Sequence, residues 1–232
     1  MKILTKGNAK IVKGEKLGYL TQGIHFSPAD KSGYEVCRWR SKGCSMACLD
    51  TAGRGAMDNT QQARIAKTKW FFEDRDGFME QLVGELGNGI RLAKRKEMRA
   101  CFRPNLTSDV VWEQIYDGDD KTILEHYPDT QFYDYTKSFD RMKAFVSGEL
   151  PGNYHLTFSR SEHNDGACNR VLAMGGNVAV VFRNRLPLSW RTCDVVDGDV
   201  NDLRFLDKQG VVVGLIEKGL AKKDESGFVQ EV

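Results

Sequence analysis

Cys37, Cys44 and Cys48 stand within twelve residues, in the stretch CRWRSKGCSMACLDTAGRG. Thiolates that close together on one loop can converge on a soft metal ion or an iron–sulfur cluster. Three ligands leave either a fourth to come from elsewhere or an open position where chemistry can occur. Arg38, Arg40, Lys42 and Arg54 flank the sulfurs, and positive charge favours the thiolate. The spacing, Cys-x6-Cys-x3-Cys, is not that of the common zinc fingers. The same residues therefore also suit a redox pair or small packing groups in a crowded loop. For a fourth ligand the sequence offers Cys101, Cys168, Cys193 and His163. The three cysteines lie in or beside apolar runs, where thiols usually pack as small hydrophobes. The expected centre is an iron–sulfur cluster, or zinc, on Cys37, Cys44 and Cys48.

Polar residues collect immediately after the apolar runs further along. Arg103, Asn105, Ser108 and Asp109 follow one run, and Asp134, Tyr135, Thr136 and Lys137 the next. Ser159, Arg160, Glu162 and His163 come after a third, and Asp197, Asp199, Asp202, Arg204 and Lys218 follow later ones. In α/β barrels, functional side chains sit at the C-terminal ends of the strands, where these clusters fall. Ser108, Asp109 and Ser138 also read as helix caps. A charge beside an apolar run is costly to desolvate without a partner, which singles out Asp134, Lys137, Arg160 and Glu162 as catalytic candidates. Lys137 and Arg160 would hold phosphate or carboxylate, and Asp134 or Glu162 would move protons or grip a ribose. Arg103, Asn105, Asp109, Ser159, Asp199 and Lys218 are the substrate-binding candidates. Asp197, Asp199 and Asp202 lack the spacing of a calcium loop and read as a solvated turn.

The elements that must position these groups follow from periodicity. Residues 9–12 and 16–26 read as a β-hairpin, ending near His25, that delivers the chain to the cysteines. Residues 60–72 and 76–96 read as helices, the second capped by Asp76; in it Phe78, Leu82, Leu86 and Ile90 recur every four residues as one buried face. Apolar runs at 98–102, 130–133, 154–158, 177–182, 193–196 and 211–216 alternate with helical stretches, including DVVWEQIY, SFDRMKAFV and GACNRVLAMG. That alternation implies βα units with parallel pairing. The expected fold is α/β, a (β/α) barrel or partial barrel forming one domain over 1–232. Within it, 1–35 is the hairpin, 36–58 the cysteine-rich loop and 59–232 the βα units.

At 232 residues and 41% hydrophobic content, one domain can bury a substantial core. No apolar run is long enough to span a bilayer, and the start lacks the apolar segment of a signal peptide. A reducing cytoplasm is expected, where ligation or free thiols prevail over disulfides. A net charge of +2 points to no particular partner, but Arg91, Lys94, Arg95, Lys96, Arg99 and Arg103 form a basic stretch suited to phosphates of a nucleic acid. There is no phosphate-binding glycine loop, nucleophile elbow or His-Glu-x-x-His.

At GNAK (7–10), the cysteine stretch, RPNLTSD (103–109), FYDYTK (132–137), NYHLTFSRSE (153–162), NVAVVF (177–182) and DGDVNDLRF (197–205), the chain resembles the phage-encoded "gene product 88" family. That resemblance implies work in the cytoplasm of an infected host cell, and a host protein as one partner to consider. In plan the chain also resembles the radical S-adenosylmethionine enzymes. These carry three cysteines in a loop after the first strand of a partial barrel and leave one iron free for the cofactor. Their spacing is Cys-x3-Cys-x2-Cys with an aromatic before the last cysteine, where this chain has Ala47, and it lacks their Gly-Gly-Glu run. Together these readings favour an iron–sulfur enzyme acting on a nucleotide, nucleic acid or S-adenosylmethionine-type substrate. The alternative is a zinc-stabilised phage protein that binds nucleic acid or inhibits a host factor.

Overall fold

The computed structural model describes residues 1–232. A nine-stranded sheet runs through the chain: β1 (Leu4–Thr5), β2 (Tyr19–Ile24), β3 (Arg99–Arg103), β4 (Gln131–Thr136), β5 (Tyr154–Ser159), β6 (Val178–Phe182), β7 (Ser189–Trp190), β8 (Cys193–Asp197) and β9 (Val212–Ile216). Their order is β1-β2-β3-β4-β5-β6-β9-β8-β7. From β2 to β8 every pairing is parallel, while β1 and β7 pair antiparallel at the edges. The expectation of an α/β fold with parallel pairing holds. The sheet is open, with two edges, and does not close into a barrel.

The helices are α1 (Lys42–Met46), α2 (Asp58–Glu73), α3 (Arg75–Arg95), α4 (Ile123–His126), α5 (Phe139–Val146) and α6 (Asp165–Ala173). Phe78, Leu82 and Leu86 of α3, Met142 of α5 and Val171 of α6 share one buried cluster with Phe102, Phe132, Leu156, Phe158 and Val180 of the strands. These helices thus cover one face of the sheet. Because side chains alternate along a strand, Cys101 and Tyr133 point to the opposite face. There they pack against Leu203 with Tyr19 and Phe205 beside them. A strand covered on both faces needs apolar residues throughout, which is why VAVVF reads as an unbroken run.

Three expectations are corrected. Residues 11–17 form a 3-10 turn, not a hairpin strand. The antiparallel partner of β2 is instead Leu4–Thr5. Within that turn Gly14 packs closely on Leu203, whose side chain a Cβ would meet at 3.2 Å. DVVWEQIY makes only a single 3-10 turn at Trp112–Gln114, because Trp112 is buried as a wedge against Phe26 and Phe71. The cap of α3 is Asp74, whose side chain accepts from the Gly77 N–H, and not Asp76.

Candidate functional site

The parallel strands β2 to β9 point their C-terminal ends the same way, and a cavity of about 230 Å³ opens there. Of the residues singled out by sequence, Cys37, Cys44, Cys48, Arg103, Asn105, Asp109, Lys137, Ser159, Asp199 and Lys218 all line it. Asp134, Arg160, Glu162 and the fourth-ligand candidates Cys101, Cys168, Cys193 and His163 do not. Each of the three charged residues outside the cavity instead holds something that does face it.

Asp134 lies fully buried on the helix side. Its carboxylate accepts from the Asn105 backbone at 2.7 Å, Asn105 Nδ2 at 3.0 Å and the Tyr154 hydroxyl at 2.8 Å. Burial raises its pKa to about 7, with the bonds from Asn105 and Tyr154 opposing. Its geometry is that of a brace for Asn105. Arg160 donates to the carbonyls of Gly227 at 2.6 Å and Phe228 at 2.9 Å, pinning the C-terminal segment that puts Phe228 in the cavity wall. Glu162 accepts from Ser41 Oγ and from the Gly43 N–H, both at 2.6 Å. It thereby holds the start of α1, which carries Cys44.

The cysteine loop is stitched at several more points. Ser41 caps α1 by accepting from the Cys44 N–H at 3.1 Å. A Cβ on Gly43 would lie 2.3 Å from Ser226 Oγ and 2.8 Å from Phe228 Cβ, so only glycine lets α1 dock on the C-terminal segment. Arg40 pairs with Glu35 at 3.0 Å and Asp30 at 3.3 Å. Buried Asp50 joins the loop to Lys31 at 2.7 Å and to Arg64 of α2. The Cys37 thiol donates to the Thr107 carbonyl at 3.7 Å. Burial pushes its pKa up to about 12, and Cys48 and Cys44 add to the rise. The Cys48 thiol is raised for the same reasons. Cys37 and Cys48 thus both lie within the electrostatic reach of Cys44, although no three His, Cys, Asp or Glu side chains are gathered to hold a single ion.

The remainder of the wall sets cations among apolar side chains. Lys137 Nζ donates to Ser159 Oγ at 3.0 Å; burial opposes its charge, but Cys44 and Asp109 hold its pKa above the ordinary value. Asp109 is not a helix cap. It accepts from the Lys137 N–H at 2.9 Å and pairs at 2.6 Å with buried Arg141, which also pairs with Glu113 at 2.7 Å. On the floor, Arg103 and Lys10 pair with buried Asp202 at 2.8 and 3.2 Å. Burial disfavours the Asp202 charge, but Arg103 and Lys10 hold its pKa down at about 2. Asp202 is thus committed to this cluster, Asp197 is exposed and Asp199 pairs with Lys218 at 2.5 Å, so the three do not form a cation site. Arg204 and Asp207 pair with each other at 3.3 Å.

The basic stretch 91–103 is divided. Arg91, Lys94, Arg95, Lys96 and Arg99 are exposed around the end of α3 and the start of β3, where cations suit the helix C-terminus. Arg103 lies at the far end of β3 and faces the cavity. No helix is long and apolar enough to cross a membrane. Sequence reasoning missed Lys10 and Phe228. Lys10 sits in the turn that was read as a strand, and Phe228 follows a polar tail, so neither carried a local signal.

A sequence model described as Gene product 88 matches residues 2–232. No curated protein matches the chain, and no solved structure matches it.

Proposed function

The chain belongs to the Gene product 88 family, and we propose that it is a phage-encoded iron–sulfur enzyme, with a cluster on Cys37, Cys44 and Cys48, acting on a nucleotide or S-adenosylmethionine-type substrate. The observation that carries this reading is that three thiols from one loop line a single cavity with Arg103, Lys137 and Lys218, at the C-terminal ends of parallel strands. Six of those strands, β2-β3-β4-β5-β6-β9, stand side by side in chain order, and the loop follows the first. A cysteine loop after the first parallel strand of such an open sheet supports this reading.

The donor set suits a cluster. Thiolates are its usual protein ligands, and none of the four candidates for a fourth ligand lines the cavity, so three thiolates would leave one iron open. Cys37, Cys44 and Cys48 would hold the cluster as thiolates, so loading would displace the protons that burial retains on Cys37 and Cys48. Once bound, such a cluster supplies an electron and an open iron for an amino-acid-like cofactor group. The chain's own residues do the rest. Glu162 and Ser41 fix the loop, and Lys137 presents an ammonium beside Cys44. Asn105 is fixed by Asp134, and Asp109 by Arg141, so both meet a ligand already oriented.

The test is anaerobic reconstitution with iron and sulfide, followed by the visible spectrum and the paramagnetic resonance of the reduced protein. A cluster band that S-adenosylmethionine perturbs, and that Cys44→Ala lacks, supports the proposal. A colourless protein, or one whose band survives Cys44→Ala, contradicts it.

A further inference from the structure

The cavity has two unlike ends. The cysteine loop forms one, and the other is a floor where charges do not balance. Three cations, Lys10, Arg103 and Arg204, face two carboxylates, Asp202 and Asp207. Asp202 and Arg204 are each only 1% exposed. Beside them lies Tyr135, its ring 4.5 Å from the Arg103 guanidinium and 5.4 Å from Lys10 Nζ. The Tyr135 hydroxyl and Arg103 Nε are both buried, and neither makes a hydrogen bond within the chain. Unpaired buried donors and a surplus buried positive charge are each costly. Their coincidence at the floor of a cavity is what an absent anion would resolve.

From the donor surplus at Lys10, Arg103 and Tyr135 we infer that the cavity floor binds the oxyanion, phosphate or carboxylate, of a small organic ligand. The ligand's body must be apolar or aromatic, because Leu106, Val181, Leu215, Ala221 and Phe228 line the same cavity. Lys218, half exposed and paired with Asp199, adds a further cation to the lining of the same cavity. Strand register explains the placement. Tyr133 is level with His155 and Tyr135 with Thr157, and both tyrosines point away from the helices. Arg103, two residues after Cys101, points to the same face. The site needs no metal and stands whether or not the cysteines carry a cluster.

Binding is measured on the purified full chain by calorimetry, with phenyl phosphate, benzoate and uncharged phenol as probes. Phenyl phosphate or benzoate should bind and phenol should not, and the preferred anion separates a phosphate ligand from a carboxylate one. Tyr135→Phe removes a hydroxyl that has no partner in the chain, so its melting temperature should match the wild type. It should nonetheless weaken anion binding by about tenfold, the value of one hydrogen bond to a charged group. Lys10→Met should weaken it further, and Lys218→Gln, at an exposed pair, serves if Lys10→Met fails to fold. Equal binding of phenol, no binding of either anion, or unaltered affinity in Tyr135→Phe and the lysine variants would each overturn the inference.

Discussion

Glu162 was expected to do chemistry, yet its carboxylate is spent on the cysteine loop, and this can be weighed. Both its oxygens are committed, one to the Ser41 hydroxyl and one to the Gly43 N–H, at 2.6 Å each, with its side chain only 5% exposed. Although burial opposes ionisation, the bonds from Ser41 and Gly43 hold its pKa below the ordinary glutamate value. Hydrogen bonds to a charged acceptor are worth about 1.5–3 kcal/mol each. Glu162→Ala should therefore weaken docking of residues 37–56 by about 3–5 kcal/mol, allowing for some replacement by water. If the loop opens alone, that is at least a hundredfold rise in the rate at which a thiol reagent labels Cys44. If the loop melts with the domain, the midpoint falls by roughly 6–20 °C. Glu162→Gln keeps one acceptor oxygen and should fall between. The assay is timed alkylation of Cys44, read by mass spectrometry, beside a thermal melt. Unchanged labelling together with an unchanged midpoint in Glu162→Ala would refute the anchoring role.

Gly43→Ala should mimic that phenotype, because its methyl cannot fit between Ser226 and Phe228; a variant with wild-type melting and Cys44 labelling would contradict the docking geometry. Removing Arg141 by Arg141→Met strands Asp109 and Glu113 in a buried site, for a loss of about 3–5 kcal/mol in denaturant unfolding; a loss under 1 kcal/mol would mean the pairs contribute little. Burial lowers the pKa of His155 to about 4, and Arg204 adds to the shift. Its folded pKa lies below the unfolded value, so the unfolded chain binds more protons between those limits and stability falls as the pH drops below about 6.5. Between pH 7.5 and pH 5 the wild type should lose about 1–2 kcal/mol more than His155→Gln, which keeps the similar contribution of buried His25; parallel pH profiles for the two proteins would refute the shift.

Much of this architecture was legible from periodicity. The runs at 98–102, 154–158 and 177–182 became β3, β5 and β6 within one or two residues, because the helix-covered face of each demands apolar side chains at alternate positions. The stripe at Phe78, Leu82 and Leu86 became the buried face of α3. Ten of the thirteen first-choice metal, catalytic and substrate-binding candidates line one cavity, since parallel strands gather their C-terminal ends on one side. What the sequence could not separate was a charge that faces ligand from one that braces a neighbour. Asp134, Arg160 and Glu162 stand beside apolar runs just as Lys137 does, and only their partners distinguish them. Those partners, Asn105, Gly227 and Ser41, lie 29, 67 and 121 residues away. Lys10 was hidden for a like reason, as its partner Asp202 is distant in sequence and adjacent only in the fold.

The most direct test of the central claim is the iron and acid-labile sulfide content of protein purified without oxygen, measured for the wild type and for single alanine variants at Cys37, Cys44 and Cys48. The account predicts about four irons and four sulfides per chain in the wild type, lost in each of the three variants and retained in Cys168→Ala. Zinc without sulfide, or iron retained in the three variants, would contradict it.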